Sequence, residues 1–201
     1  MIQSAAKLSE LLKKTTATTA IGKLAQKVAG PAARISAILE AGPGGEAGRK
    51  EGEKWAIAGM ATLLTGNKPA ALTMFARGVA LLERSWRERH PEFQGGFKER
   101  VAESVRFYEE THRHPTNRLL HQVGIPMIVG GAAGLILAPA YRPLWLASAG
   151  SFTLGWGLNI LGHARFEKNR PAFSADPLSF MTGPLWDVGQ LLAKKRAAAT
   201  A

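Results

Sequence analysis

Two long stretches without charged residues constrain the fold of this chain most. Residues 123–140 and residues 144–162 contain no charged side chain over 18 and 19 positions. At about 1.5 Å of rise per residue, a helix over either stretch nearly matches the roughly 30 Å hydrocarbon core of a bilayer. We therefore predict an all-α integral membrane protein in which these two stretches form a hairpin of transmembrane spans.

Small residues in both stretches favour close packing of the two helices. The first stretch contains Gly130 and Gly134 as a G-x-x-x-G pair, and the second repeats Ala147, Ser151 and Gly155 every four residues. Such faces allow helix backbones to approach closely within a membrane. The pattern predicts a tight hairpin.

Basic residues are concentrated outside the two ends of this hairpin, whereas the turn between the stretches holds only Arg142. The flanking bases are Lys98, Arg100, Arg106, Arg113 and Arg118 before the first stretch, and Arg165, Lys168 and Arg170 after the second. The positive-inside rule then predicts that both termini of the hairpin lie on the cytoplasmic side.

The remainder of the chain divides by composition. We predict a basic, Ala-rich helical extension over residues 1–96, with a Gly- and Pro-rich linker at about 41–54, a membrane domain over 97–196, and a short tail over 197–201. A basic amphipathic helix within residues 1–29 would lie on an anionic bilayer or on a helical bundle.

Two shorter apolar segments predict additional helices. Residues 55–82 contain two apolar runs, each too short for a full span, and fit an interfacial helical hairpin or a soluble one. Near the C-terminus an apolar run is interrupted by Pro184 and Asp187, which favours a re-entrant or interfacial pair of short helices.

The overall charge is consistent with an anionic membrane surface. The net charge is +11, yet no nucleic-acid-binding motif is visible and the aromatic residues do not alternate with the bases. We therefore predict membrane lipid, and no nucleic acid, as a partner. The absence of cysteine excludes thiolate ligands and disulfides.

Polar residues with metal-binding side chains lie just outside the charge-free stretches. His121 precedes the first stretch by two residues and His163 follows the second directly, so an antiparallel hairpin brings both to one face. His112 can fold back over that face, and Glu167 lies four residues after His163. Imidazoles with a carboxylate suit iron, manganese or zinc, and iron(II) is the usual choice for oxygen activation. His114 is a further candidate ligand.

An alternative function does not require a metal. The histidines would then be structural, and the chain would be a non-catalytic membrane or lipid-interaction protein. Membrane desaturases with two irons are disfavoured, because their sites draw on about eight histidines and this chain has five.

Four sets of spaced residues extend around these histidines: Tyr108-x-x-x-His112, Asn117-x-x-x-His121-x-x-Gly124-x-Pro126, Gly162-His163-x-x-x-Glu167-x-x-x-Pro171-Ala172, and the later Pro184. Together these motifs resemble the Mpo1-like family. This resemblance covers about residues 105–192. It implies an iron(II)-dependent membrane dioxygenase that shortens 2-hydroxy fatty acids by one carbon, with a fatty-acyl substrate and molecular oxygen as its partners.

The resemblance also implies roles for individual residues. It implies iron ligation by His112, His121 and His163, with Glu167 as a ligand or as a residue that orients one. Tyr108 and Asn117 would orient the substrate hydroxyl or oxygen. Arg165, Lys168 or Arg170 would bind the fatty-acid carboxylate, although plain topology signals explain such bases equally well. Asp187 stands where the family usually has glutamate.

Overall fold

The computed structural model describes residues 38, 39 and 41–199; side chains are described except at residue 188 and residues 191–199. In this part of the chain all regular structure is helical, which confirms the predicted all-α class. The elements are α1 (Gly45–Leu63), α2 (Lys68–Arg89), α3 (Phe97–Thr111), α4 (Pro115–Leu137), α5 (Pro143–Gly162), a π-helical turn (His163–Glu167), a 3-10 turn (Ala172–Ser174) and α6 (Ser179–Ala199).

Helix α1 begins inside the segment for which the sequence predicts a flexible linker, about residues 41–54. The Arg49 guanidinium pairs with Glu53 one turn later at 2.5 Å, which supports a helix here. A Cβ at Gly52 would lie only 2.8 Å from Cγ of Leu82 in α2. Glycine in this segment therefore permits close helix packing, and the linker prediction does not hold once α1 begins.

Helices α1 and α2 form the helical hairpin predicted for residues 55–82. The Asn67 side chain caps α2 by accepting a hydrogen bond from the Ala70 backbone N–H at 3.3 Å. The Lys68 ammonium donates to the Ala138 carbonyl at 2.5 Å, just after α4 ends. The turn of this hairpin is thereby attached to the end of α4, and its insertion into a bilayer stays a prediction.

Helices α4 and α5 pack at very short distance. A Cβ at Gly131 would lie 2.6 Å from the Phe152 backbone nitrogen, and a Cβ at Gly155 would lie 2.6 Å from the Gly124 carbonyl oxygen. No larger residue fits at these positions without movement of the facing backbone. The close hairpin of helices that the sequence predicts is therefore observed.

The contacting face differs in part from the predicted one. Gly134 faces Ser148, and the Ser151 hydroxyl donates to a backbone carbonyl of α4 at 3.0 Å. A Cβ at Gly130 would meet no atom of the described residues within 4 Å, and Ala147 is exposed. The four-residue repeat drifts off the contact face because a helix has 3.6 residues per turn, so the interface continues through the neighbouring residues.

The membrane prediction is supported for one helix. Among the described helices, α4 alone is both long and apolar enough to cross a bilayer. Helix α5 has 20 residues, but its glycines, serines and Asn159 lower its hydropathy. The two-span hairpin is therefore not confirmed, although large apolar side chains such as Leu137 and Leu154 are exposed on both helices.

A row of polar contacts joins α3 to α6 and to the segment before it. At intervals of four residues along α3, three buried side chains meet partners: Arg100 with Asp176 (2.7 Å), Ser104 with Thr182 (2.9 Å) and Tyr108 with Asp187 (3.2 Å). The Arg100 guanidinium also lies 3.6 Å from the ring centre of Trp86 in α2. Buried polar side chains, rather than apolar ones, thus hold α3 in place.

The C-terminal apolar segment forms one helix, α6, and the predicted pair of short helices is wrong. Pro184 lies in the second turn of α6, where its missing N–H removes a single backbone hydrogen bond. A Cβ at Gly183 would lie 2.8 Å from the Tyr108 ring. Close packing of this turn against α3 offsets the disruption by proline.

Other predictions fall outside the described residues. The basic amphipathic helix within residues 1–29 lies outside them, as do residues 200 and 201 of the predicted tail. From Gly42 onward the described residues form one compact unit. The division into domains at residues 96 and 97 stays a prediction.

Candidate metal centre

Three histidines, each near the end of a different helix, lie close together. His112 is the C-terminal cap of α3, His121 lies in the second turn of α4, and His163 begins the turn that follows α5. Pro115 starts α4 directly after a three-residue connection from α3. The antiparallel α4–α5 hairpin places the start of α4 beside the end of α5, as the sequence predicts.

The three imidazoles form a compact buried cluster. His112, His121 and His163 are 3%, 4% and 3% exposed. Their ring centres are 4.7 Å apart for two of the pairs and 5.0 Å apart for the third, with the rings nearly perpendicular. One ring nitrogen from each lies within 4.8 Å of the other two. Among the described residues, this is the group of side chains that is able to share a metal ion.

Hydrogen bonds determine which nitrogen of each ring is available. Nδ1 of His112 lies 2.8 Å from the Tyr108 carbonyl oxygen, and Nδ1 of His121 lies 3.0 Å from the Asn117 carbonyl oxygen. Because a carbonyl oxygen only accepts, each Nδ1 carries the proton and donates. Nε2 of each ring is then the nitrogen with a free lone pair, which is the form of histidine that binds metals.

Asn169 accepts the Nδ1 proton of His163 in the same way, and this residue was not predicted from the sequence. Nδ1 of His163 lies 2.7 Å from Asn169 Oδ1. The orientation of this amide follows from its other end, because Nδ2 of Asn169 donates to the Thr111 carbonyl at 3.1 Å. Lys168, at φ 56°, turns the chain so that Asn169 faces back toward His163. Such a left-handed position after a π-helical turn gives little signal in a sequence.

Burial keeps the imidazoles neutral at physiological pH. Desolvation, together with the neighbouring His121 and His163, lowers the pKa of His112 to about 3. Burial also lowers the pKa of His163, against the effect of its hydrogen bond to Asn169. Neutral imidazole is the state that a metal requires, so little proton release accompanies binding at neutral pH.

A buried phenol and a buried carboxyl group lie beside His112. The Tyr108 ring stacks on the His112 ring with centres 3.8 Å apart, and its hydroxyl donates to Asp187 Oδ2 at 3.2 Å. Burial raises the pKa of Asp187 to about 6, and burial next to that carboxyl group raises the pKa of Tyr108. Asp187 therefore contacts the predicted site through Tyr108.

Glu167 and His114 lie beside the cluster and not within it. Glu167 Oε1 accepts from the His114 backbone N–H at 2.7 Å and from Asn117 Nδ2 at 3.0 Å. The His114 ring caps α4 by accepting from the Thr116 N–H at 3.2 Å. Within the described part of the chain, the metal-capable group contains neither residue. The geometry thus supports Glu167 as an orienting residue and gives no support to either one as a ligand.

Asn117 lies outside the histidine cavity and forms hydrogen bonds with His121 and Glu167. It is fully buried, contacts Gly162 with its side chain, and does not line the cavity next to the cluster. Its carbonyl oxygen accepts from His121 and its amide donates to Glu167. Asn117 therefore holds the start of α4 against the end of α5.

The three predicted carboxylate-binding bases lie at the surface. Arg165, Lys168 and Arg170 are exposed, and the structure does not place them in the lining of the histidine cavity. Arg170 lines an adjoining groove, next to Pro171, which belongs to both the groove and the cavity. Of the three bases, Arg170 is thus the one nearest to the entrance of the site.

The cluster lies at the polar end of an otherwise apolar cavity of about 80 Å³. Tyr108, Asn159 and Ser179 are its other polar residues. The apolar lining comprises Ile125, Ile128, Val129, Trp156, Ile160, Phe173 and Phe180. A ligand with a polar head and an apolar chain matches this distribution.

The donor set fits a metal ion. Metal–nitrogen bonds are about 2.0–2.1 Å long, so ligating nitrogens lie at most about 4.2 Å apart. The 4.8 Å limit of this cluster requires only a small contraction for one ion to contact all three rings. Three neutral ligands leave further coordination positions for other molecules, which is typical of catalytic rather than structural sites.

Comparison with known protein families agrees with the geometry. Residues 98–195 match the family described as "2-hydroxy-palmitic acid dioxygenase Mpo1-like". Neither the curated proteins nor the solved structures give a significant match. The matched region contains the whole histidine cluster together with Tyr108, Asn169 and Asp187. The match to the Mpo1-like family over residues 98–195 confirms the resemblance that the sequence motifs indicate.

Proposed function

We propose that this chain is an iron(II)-dependent dioxygenase that removes one carbon from 2-hydroxy fatty acids. The observation that carries the proposal is the cluster of three buried imidazoles, each with its Nδ1 engaged and its Nε2 available, at the polar end of an apolar cavity. The family description names 2-hydroxy-palmitic acid and a dioxygenase, while iron(II) and the loss of one carbon are part of the proposal.

The protein contributes a prearranged ligand set. His112, His121 and His163 would hold the ion through Nε2, while the Tyr108 carbonyl, the Asn117 carbonyl and Asn169 keep the rings oriented. Iron(II) held in this way would supply the redox chemistry that activates oxygen. The apolar walls exclude water from the reacting groups.

Tyr108 is the side chain best placed to contact the substrate head. It lines the cavity beside His112, and its hydroxyl group is held by Asp187. We assign the phenol to positioning the substrate hydroxyl group, and Asp187 to orienting the phenol. Asn117 and Glu167 act indirectly, because they position the loop and the helix that carry His112 and His121.

The substrate carboxylate would approach from the side of Arg170. This base lines the groove that shares Pro171 with the histidine cavity. Arg165 and Lys168 are exposed elsewhere on the same surface and fit a role as membrane-border charges. A guanidinium at the entrance attracts an acid without occupying the site itself.

A membrane location suits a fatty-acyl substrate. Helix α4 is able to span a bilayer, and exposed leucines on α4 and α5 provide a surface for lipid. The flanking bases favour a cytoplasmic position for the histidine site. Substrate would then reach the site laterally from the membrane.

Oxygen consumption with 2-hydroxypalmitate tests the proposal. Protein purified anaerobically and supplied with iron(II) is expected to consume oxygen and to release a product one carbon shorter. His163→Ala should abolish both, whereas His114→Ala, which changes a histidine outside the cluster, should retain both.

The alternative function is that of a non-catalytic membrane or lipid-interaction protein with structural histidines. It predicts that the substitutions change only stability and that no oxygen is consumed. A folded, iron-supplied wild type that leaves 2-hydroxypalmitate intact would refute the enzymatic proposal.

A further inference from the structure

A second apolar cavity, of about 330 Å³, adjoins the cavity beside the histidines. The two share four lining residues: Ile128, Val129, Trp156 and Phe180. This second cavity is termed here the inner groove. Among the described residues, all the side chains that line it are apolar. The polar histidine cavity and the inner groove therefore lie side by side, with these four residues at their border.

Much of the inner groove is built by α1 and α2. These helices contribute Gly59, Met60, Leu63, Ala71, Leu72 and Phe75. All six precede residue 98, where the match to the family begins. The opposite wall is formed by α4, α5 and α6, which belong to the matched region.

Aromatic contacts connect the two walls at the junction with the histidine cavity. The Phe75 ring of α2 meets the Phe180 ring of α6 edge to face, with centres 5.1 Å apart. The Trp156 ring of α5 lies 6.1 Å from Phe180 and lines both cavities. Trp156 and Phe180, which line both cavities, thus lie at the border between the histidine site and the inner groove, and Phe75 contacts Phe180 from the α2 side.

We propose that the α1–α2 hairpin is a specificity element that holds the acyl chain of the substrate in the inner groove and limits its length. This inference rests on the proposed function. The volume of the inner groove lies in the range of about 300–1,000 Å³ that is common for ligand pockets, and its lining is matched to hydrocarbon.

A larger neighbouring groove of about 770 Å³ is less suited to the acyl chain. Its lining includes the charged residues Glu53 and Arg170, and a bound hydrocarbon chain would remove water from these charged groups at a cost in free energy. The lining of this outer groove also includes Ile57 of α1.

Two matched substitutions on the hairpin distinguish the grooves. Leu72 lines the inner groove and is 48% exposed, whereas Ile57 lines the outer groove and is 54% exposed. A tryptophan is tolerated at both positions because each side chain is half in solvent. Leu72→Trp narrows the inner groove, and Ile57→Trp serves as its control.

The experiment measures binding and not turnover. The full chain, loaded with iron(II) without oxygen in detergent, is titrated with 2-hydroxy acids from octanoic to stearic. In the wild type, Kd should fall about fourfold for each added methylene until the inner groove is full. Leu72→Trp should end this fall at a shorter chain, and should weaken binding of 2-hydroxypalmitate about 15-fold if two methylenes are excluded.

The outcomes separate the inference from the function on which it rests. Binding of the short acids should be unchanged in Leu72→Trp, and Ile57→Trp should match the wild type at every length. Identical profiles for Leu72→Trp and wild type, or a profile shifted by Ile57→Trp alone, would overturn the role of the inner groove while leaving the enzymatic proposal intact. Failure of every acid to bind the wild type would overturn both.

Discussion

Replacing Asn169 tests how the site orients its ligands. This residue accepts the Nδ1 proton of His163 at 2.7 Å and is anchored through its amide to the Thr111 carbonyl. Its side chain is exposed, so a substitution costs little core packing. In Asn169→Ala the His163 ring loses its only described Nδ1 partner and becomes free to rotate or to change tautomer.

The expected loss follows from the role of this hydrogen bond. Partners that orient a ligating histidine contribute about 10–100-fold to metal affinity, which corresponds to about 1.4–2.7 kcal/mol. Asn169→Asp keeps an oxygen acceptor for Nδ1 but loses the donor to the Thr111 carbonyl. We therefore expect Asn169→Ala to weaken iron(II) binding by this factor and Asn169→Asp to weaken it less.

Anaerobic competition with a chromophoric chelator measures these affinities, and circular dichroism verifies that each variant remains helical. Equal affinities for wild type and Asn169→Ala would refute the orienting role. An equal loss in Asn169→Ala and Asn169→Asp would also refute it, because the acceptor would then be irrelevant.

Three further predictions concern packing, buried charge and pH. Gly131→Ala should lower the temperature of unfolding, because its Cβ would lie 2.6 Å from the facing backbone, whereas Gly130→Ala should be neutral or add about 0.5–1 kcal/mol of stability through helix propensity. Arg100→Ala should cost about 3–5 kcal/mol in denaturant unfolding, because it leaves the Asp176 carboxylate buried without its partner; a loss below 1 kcal/mol would contradict this. Because burial raises the folded-state pKa of Asp187 to about 6, its stabilising contribution is full below about pH 4 and is lost as pH rises through about 6. Asp187→Asn should therefore gain about 1 kcal/mol relative to wild type between pH 5 and pH 8. If the carboxyl group were solvated, thermal unfolding at both pH values would show no such gain.

Topology made the three histidines predictable. Each lies within a few residues of the end of a helix that the charge-free stretches or the preceding amphipathic segment already predict. An antiparallel hairpin necessarily places His121 and His163 at the same end. The roles of these residues in metal binding stay a proposal, but their convergence required no information beyond the order of the helices.

Glycine and buried polar residues were harder to interpret. Gly52 and its neighbours resemble a flexible linker by composition, yet they allow α1 and α2 to approach closely. Arg100 appears in the sequence as one of several border bases, yet it is almost completely buried between two acids. In both cases the residue in contact lies at least 17 positions away in the chain, so a local sequence pattern does not predict the contact.

Asn169 and the inner groove depend on details that follow only from the assembled helices. The orientation of Asn169 arises from the left-handed turn at Lys168, and the groove arises from contact between two hairpins. Neither has a periodic signature in the sequence. The sequence therefore predicts which helix ends meet. The residues that orient the histidines, and the groove next to them, become visible only in the folded structure.

Anaerobic metal analysis of the purified full-length chain tests the central claim most directly. We predict stoichiometric iron in the wild type and in His114→Ala, and loss of that iron in His112→Ala, His121→Ala and His163→Ala, with all variants retaining their helical circular dichroism. A folded wild type that binds no iron when iron(II) is supplied, or cluster variants that bind it as the wild type does, would contradict the account.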